Sequence, residues 1–221
     1  MIPANKILLL VFSTGLCGCV TSRIEDAREE TTGLLDGETV VVMAKSYHQG
    51  NETEADYIRC VEKALGRGKG ALNVIPNQQF VDNLFPWFEP RTAPADTKGL
   101  VTLMSRPGVP NAVKNMGVRY IVWLDGDTSR AAQGGSLSCA AGPGGGGCFG
   151  FAWWQDDAAY EASIWDLNDS AAAGTVTADY SGTSFLPALV VPIPLIARTQ
   201  SRACSGLAKQ LKLFIVSDEA A

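Results

Sequence analysis

Cys17 and Cys19 stand one residue apart, and Cys60, Cys139, Cys148 and Cys204 follow singly. Thiols can ligate a metal, act as nucleophiles, carry a covalent group or pair as disulfides. No CxxC is present, and His48, the sole histidine, is not near a cysteine in sequence, which argues against a zinc cluster. His48 with Glu52 and Glu54 matches no HExxH pattern and reads as a loop residue. No GxSxG elbow occurs, and one histidine leaves a Ser-His-Asp site few ways to assemble. "GRGKGA", residues 66–71, lacks the frame of a phosphate loop and reads as helix-terminating glycines. Asp156, Asp157, Glu161 and Asp166 could serve glycoside hydrolysis, which needs two carboxylates several ångströms apart. A solvated hairpin tip is the simpler reading of that cluster. The chain is therefore read as no enzyme, without metal or free cofactor.

The first two cysteines close an N-terminal pattern. Lys6 is followed by the apolar run "ILLLVF" and then by small residues, the order of a secretory signal. That run is far shorter than the roughly 20 residues a membrane-spanning helix needs. "LCGC", Leu16 to Cys19, resembles the bacterial lipobox: a leucine, a small residue, a glycine, then the invariant cysteine. The resemblance implies cleavage before Cys19, diacylglycerol on its sulfur and an acyl chain on its freed amine. Cys17 would leave with the signal. An ordinary secretory signal with an incidental cysteine is the other reading. Acyl chains at roughly 0.8 kcal/mol per buried methylene make a durable anchor. Val20, not aspartate, follows Cys19, which resembles the default outer-membrane class of enterobacterial lipoproteins. A periplasm-facing protein held in the outer membrane by lipid is expected.

Outside the cytoplasm disulfides persist, and the four remaining thiols allow three pairings. Eight residues rich in glycine separate Cys139 from Cys148, so a local bridge is expected there. The chain-entropy account values it at roughly 2.5–3 kcal/mol. Cys60 and Cys204 then pair if the first and last helices lie on one face of a sheet. Closing so long a loop is worth roughly 5 kcal/mol at most. Two buried free thiols are the alternative for that pair.

The chain of 221 residues carries a net charge of −5, one unit more negative once Lys6 is lost. No basic stripe appears, so nucleic acid is excluded as a partner. A hydrophobic share of 46% is enough for a packed core. Trp87, Phe88, Trp153 and Trp154 lie in short bunches flanked by proline, glycine or acid. They either cap the core or form an exposed surface that anchors a protein or stacks on sugar rings.

These residues are carried by a legible run of elements. Residues 20–37 are polar and acidic and read as a tether. "TVVVMA" has the continuous apolar character of a doubly buried strand. A helix follows, capped by Asn51 or Thr53, with Tyr57, Ile58, Val61 and Leu65 on its apolar face and Cys60 on the flank. Then come a short strand, a proline turn, a helical segment, and two helical pieces broken at "RPGVP". "VRYIVWLDGDT" reads as a strand ending in a turn-rich "DGDTS". A glycine loop between Cys139 and Cys148, two strand-like halves over "FAWWQDDAAYEASIWDLND", a strand over "GTVTADYSGTSF", a proline-broken loop at 185–197, and a closing helix bearing Cys204 complete the chain. The order predicts an α/β single-domain sandwich, a mixed sheet with a long hairpin and helices packed against it. Its boundaries are a signal peptide at 1–18, the lipidated N-terminus and tether at 19–37, the domain at 38–217 and a tail at 218–221.

"MGVRYIVWLDGD" and "YEASIWDLND" make the layout resemble small periplasmic domains of envelope-assembly lipoproteins. Among these are the curli-secretion lipoprotein, the lipoprotein activators of penicillin-binding proteins and the N-terminal domain of the Tol-system propeller protein. The resemblance implies an envelope protein partner and an accessory role. A glycan- or peptidoglycan-binding module using exposed tryptophans is the alternative, and a lipid-anchored hydrolase is a third reading.

Overall fold

A computed structural model describes residues 20–44, 53–89 and 91–216, the side chain of Thr97 excepted. The expected signal, Cys17, Cys19, His48, Asn51, Glu52 and the tail lie outside these residues. The elements are β1 (Val20–Arg28), β2 (Thr39–Ala44), α1 (Ala55–Leu65), β3 (Val74–Ile75), α2 (Asn77–Asn83), α3 (Thr97–Met104), α4 (Val109–Met116), β4 (Val118–Gly142), β5 (Gly145–Asp166), β6 (Ala171–Val190) and α5 (Thr199–Val216). Six strands form one sheet in the order β1-β6-β5-β4-β2-β3. β2 runs parallel to both β3 and β4, with Val40 opposite Val74 and Tyr120. β4 and β5 are joined only by Pro143 and Gly144, a connection that an antiparallel pair alone allows. The fold is thus α/β, a mixed sheet with a long hairpin and helices against it.

The chain divides into two compact units. Of the described residues, a helical unit comprises 22–44, 53–89, 91–127, 158–179 and 200–216, and a strand unit comprises 20–21, 128–157 and 180–199.

In the helical unit every residue of β2 is buried. Alternation sends Val41 and Met43 into a core with Ile121, Trp123, Trp165 and Leu167, covered by residues of α2, α3 and α4. Pro110 in the first turn of α4 accounts for the break at "RPGVP". On the opposite face Tyr57 of α1 stacks on Tyr160 of β5 at 3.5 Å between ring centres. α5 joins α1 on that face through the Cys60–Cys204 disulfide, with Cα atoms 6.2 Å apart. α1 buries Tyr57, Val61 and Leu65; its N-cap is Glu54, not Asn51 or Thr53.

Residues 20–37, expected as a tether, are docked instead. β1 sits at the sheet edge beside β6, where Glu29 N–H donates to the Ala173 carbonyl at 2.9 Å. Arg28 donates to the Phe214 carbonyl at 3.0 Å and lies over the Phe214 ring, while the Thr32 hydroxyl also donates to that carbonyl. Side-chain polarity misleads here because an edge strand is held by its backbone, and charged side chains are the ordinary covering of an edge.

The expected turn at 125–129 is absent, because β4 runs through it. Gly126 has φ +116, and a Cβ there would meet the Ala159 carbonyl oxygen at 2.0 Å. The glycine permits a close backbone approach inside the strand rather than a chain reversal. Likewise the expected glycine loop is mostly strand: β4 and β5 continue to the Pro143–Gly144 turn, and Cys139 bridges Cys148 across the hairpin with Cα atoms 4.0 Å apart.

Candidate functional site

α2, α3 and α4 cover the end of β5 at Trp165 but leave Glu161 exposed. The uncovered part of the helical unit's sheet is a shallow cleft of about 420 Å³ whose lining includes Arg23, Glu25, Asp125, Glu161, Thr177 and Asp179. Residues two apart on a strand share a face, so Thr177 and Asp179 stand together there. Arg23 pairs with Glu25 at 2.6 Å. That hydrogen bond, reinforced by the charges of Glu25 and Asp179, raises the guanidinium pKa. Four carboxylates against one guanidinium make the cleft acidic.

A second polar cluster is structural. Arg119 at the start of β4 meets the buried Asp166 at 2.6 Å, with Asp169 at 3.4 Å and Glu38 at 3.7 Å. The other Asp166 oxygen accepts N–H groups of Asn168 and Asp169, shaping the turn into β6. Burial opposes the Arg119 charge, yet the hydrogen bond and charge of Asp166 raise its pKa on balance.

The carboxylates expected at a hairpin tip lie along β5, away from the Pro143–Gly144 turn. Asp156 pairs with Arg130 at 3.1 Å. Asp157 accepts from Gln155 at 3.0 Å, and its pKa is lowered by hydrogen bonds from Ser181 and Gln155. Asp166 is taken by Arg119, and Glu161 lines the open cleft. Among the described residues no group of three or more histidine, cysteine, aspartate or glutamate side chains is placed to hold a metal ion.

The aromatic set is sorted by burial. Phe88 is 1% exposed and packs edge-on against Phe80 at 4.8 Å, so it belongs to the core and not to a binding surface. Full burial of such a ring contributes roughly 1.5–3 kcal/mol, which outweighs any tendency to stay exposed. Trp87, next in the chain, is half-buried. In the strand unit Trp153 and Trp154 are both half-buried on β5. Trp153 lies over Gly134, where a Cβ would meet its Nε1 at 2.8 Å, and Arg130 sits 5.4 Å from the Trp154 ring centre.

Past these tryptophans the strand unit carries no charge. Residues 131–155 and 180–197 contain no aspartate, glutamate, lysine, arginine or histidine. The expected proline-broken loop at 185–197 is partly β6 and partly a return segment. Ile193 N–H donates to the Pro187 carbonyl at 2.9 Å, and Phe185 and Leu195 exchange backbone bonds of 2.9 and 2.8 Å. Leu189, Val190, Val191 and Ile193 are exposed there, as are Phe149 and Phe151 on β5. Sequence reasoning missed this apolar end. The signal that finds it is the coincidence of two charge-free runs on neighbouring strands.

No protein-family model and no curated protein matches the chain. Among solved structures it is similar to a PelC dodecamer from Paraburkholderia phytofirmans, at a TM-score of 0.39 and 14% identity over 90% of this chain and 100% of that one. A single-residue variant of that PelC dodecamer matches at 0.39 and 13%, over 90% and 99%. Likeness at this level carries neither fold nor function across.

Proposed function

We propose that the protein is a lipid-anchored, non-catalytic accessory of the bacterial envelope that acts by binding another envelope protein through its open acidic cleft. The observation that carries the reading is the sheet face left uncovered between Glu25, Asp125, Glu161 and Asp179. A folded body that packs helices over the rest of this face yet leaves four carboxylates there suits a partner segment rich in lysine or arginine. Electrostatic complementarity of that kind sets specificity and encounter rate. The lipobox-like Leu16–Cys19 supports anchoring through Cys19, and Val20 after it supports the outer membrane, facing the periplasm.

The test is a photo-crosslinking residue at Thr177 in living cells. One discrete crosslinked species is expected, lost on reversing charge with Glu161→Lys and Asp179→Lys. Crosslinking indifferent to those reversals would overturn the cleft as the docking site. Crosslinking to peptidoglycan in place of protein would favour the glycan reading.

A further inference from the structure

We infer that the charge-free end of the strand unit inserts into the bilayer that holds the lipid anchor. The charges of this unit lie on one side: Arg130 on β4, Asp156 and Asp157 on β5, and Arg198 after the return segment. Trp153, Trp154 and Tyr180 stand at the limit where the charges stop. Beyond them the surface is glycine, alanine, serine and exposed phenylalanine, leucine, valine and isoleucine. Apolar strands bounded by aromatic side chains, with charge only beyond the aromatics, is the arrangement expected of strands meeting a membrane interface.

Length agrees. Gly145 to Trp154 is a ten-residue run of β5, and a tilted strand crosses the hydrocarbon core in about 9–11 residues. The anchor agrees as well. Val20 lies against Gly182, whose Cβ would meet Val20 Cγ2 at 3.2 Å. Gly182 is two residues past Tyr180, so Val20, the residue that follows Cys19 in the sequence, lies near the aromatic level. That last point rests on the anchoring proposed above; the charge pattern and the strand lengths do not. Hydrocarbon cannot solvate the edge N–H and C=O groups of an open sheet, so the inserted species is an assembly of copies pairing edge to edge.

Mature acylated protein is reconstituted in phosphatidylethanolamine–phosphatidylglycerol vesicles. An environment-sensitive dye is placed at Leu189→Cys, at Val191→Cys, or at Ser129→Cys on the charged side. The proposal expects mid-chain spin-labelled lipid to quench the dyes at 189 and 191 several-fold more than the dye at 129, and aqueous iodide to show the reverse order. Dyes at 189 and 191 as open to iodide as the one at 129 would overturn it. So would shielding from iodide without lipid quenching, which would assign the face to protein, or lipid quenching of a strictly monomeric species. The exposed double substitution Val191→Asp with Ile193→Asp should abolish lipid quenching at 189 with the thermal midpoint unchanged. Intact mass of the same preparation reads acylation of Cys19 separately, so anchoring and insertion can fail independently.

Discussion

Arg119 and Asp166 are 47 residues apart in sequence and 2.6 Å apart in space. Each lies in one of the two stretches, "MGVRYIVWLDGD" and "YEASIWDLND", on which the envelope-lipoprotein resemblance rests, but nothing in either shows that they meet. Their pairing follows from the β4–β5 register, a property of the folded sheet. Asp166→Ala leaves a part-buried guanidinium without its main partner and two turn N–H groups without an acceptor. A loss of about 3–5 kcal/mol is expected, read as a lower urea midpoint. Glu62 makes a pH-dependent contribution. Burial raises its carboxyl pKa, and the Asn77 N–H offsets that only in part. A raised folded-state pKa gives stability that is present below the unfolded value and lost as pH rises through the folded one. Glu62→Gln cannot ionise, so the variant's thermal midpoint should climb relative to the parent as pH rises past the ordinary glutamate range. Parallel pH profiles for the two proteins would refute this.

Among the elements, those set by side-chain pattern were legible and those set by backbone were not. "TVVVMA" gave β2 because a doubly buried strand needs apolar side chains on both faces. Tyr57, Val61 and Leu65 gave the buried stripe of α1. β1 was missed because its side chains point to solvent, and β4 was cut short because Gly126 and Asp127 resemble a turn. Gly126→Ala should cost more than the roughly 1–2 kcal/mol of a left-handed conformation alone, since its Cβ would strike the Ala159 carbonyl. Gly68→Ala, at φ +75 with nothing within 4 Å, should cost only that amount. Equal urea midpoints for the two variants would remove the close-approach argument. The cysteines tie elements together at two ranges, with sequence separations of 144 for Cys60–Cys204 and 9 for Cys139–Cys148. Loop entropy predicts that Cys60→Ser with Cys204→Ser loses about 2 kcal/mol more stability than Cys139→Ser with Cys148→Ser. Equilibrium unfolding of the two double variants checks it.

For the whole molecule, the anchoring proposed above raises the question of how closely the body would be held to a membrane. A tether over residues 20–37 would let the body stand off and sample a wide volume. The docked chain removes that freedom: β1 pairs with β6, Arg28 and Thr32 bind the Phe214 carbonyl, and Gly33 N–H donates to the Tyr120 hydroxyl at 3.1 Å. If Cys19 bears the lipid, the very next residue, Val20, already belongs to the sheet. The polar sequence could not reveal this, because the contacts are made to α5 and β4, far along the chain. Trypsin distinguishes the two arrangements, since Arg23 and Arg28 are cleavage sites inside the segment. On acylated protein in membranes, cleavage after Arg28 is expected to be slow, because opening it requires breaking a paired strand as well as the bonds to Phe214. The readout is the new N-terminus, not release from the membrane, so retention by other parts of the molecule does not confuse the result. Rapid appearance of chains beginning at Glu29, at a rate matching an unfolded peptide of residues 20–37, would show that the segment is free and restore the tether. Slow cleavage that accelerates on Thr32→Val, which removes the hydroxyl that donates to the Phe214 carbonyl, would locate the restraint where the structure places it.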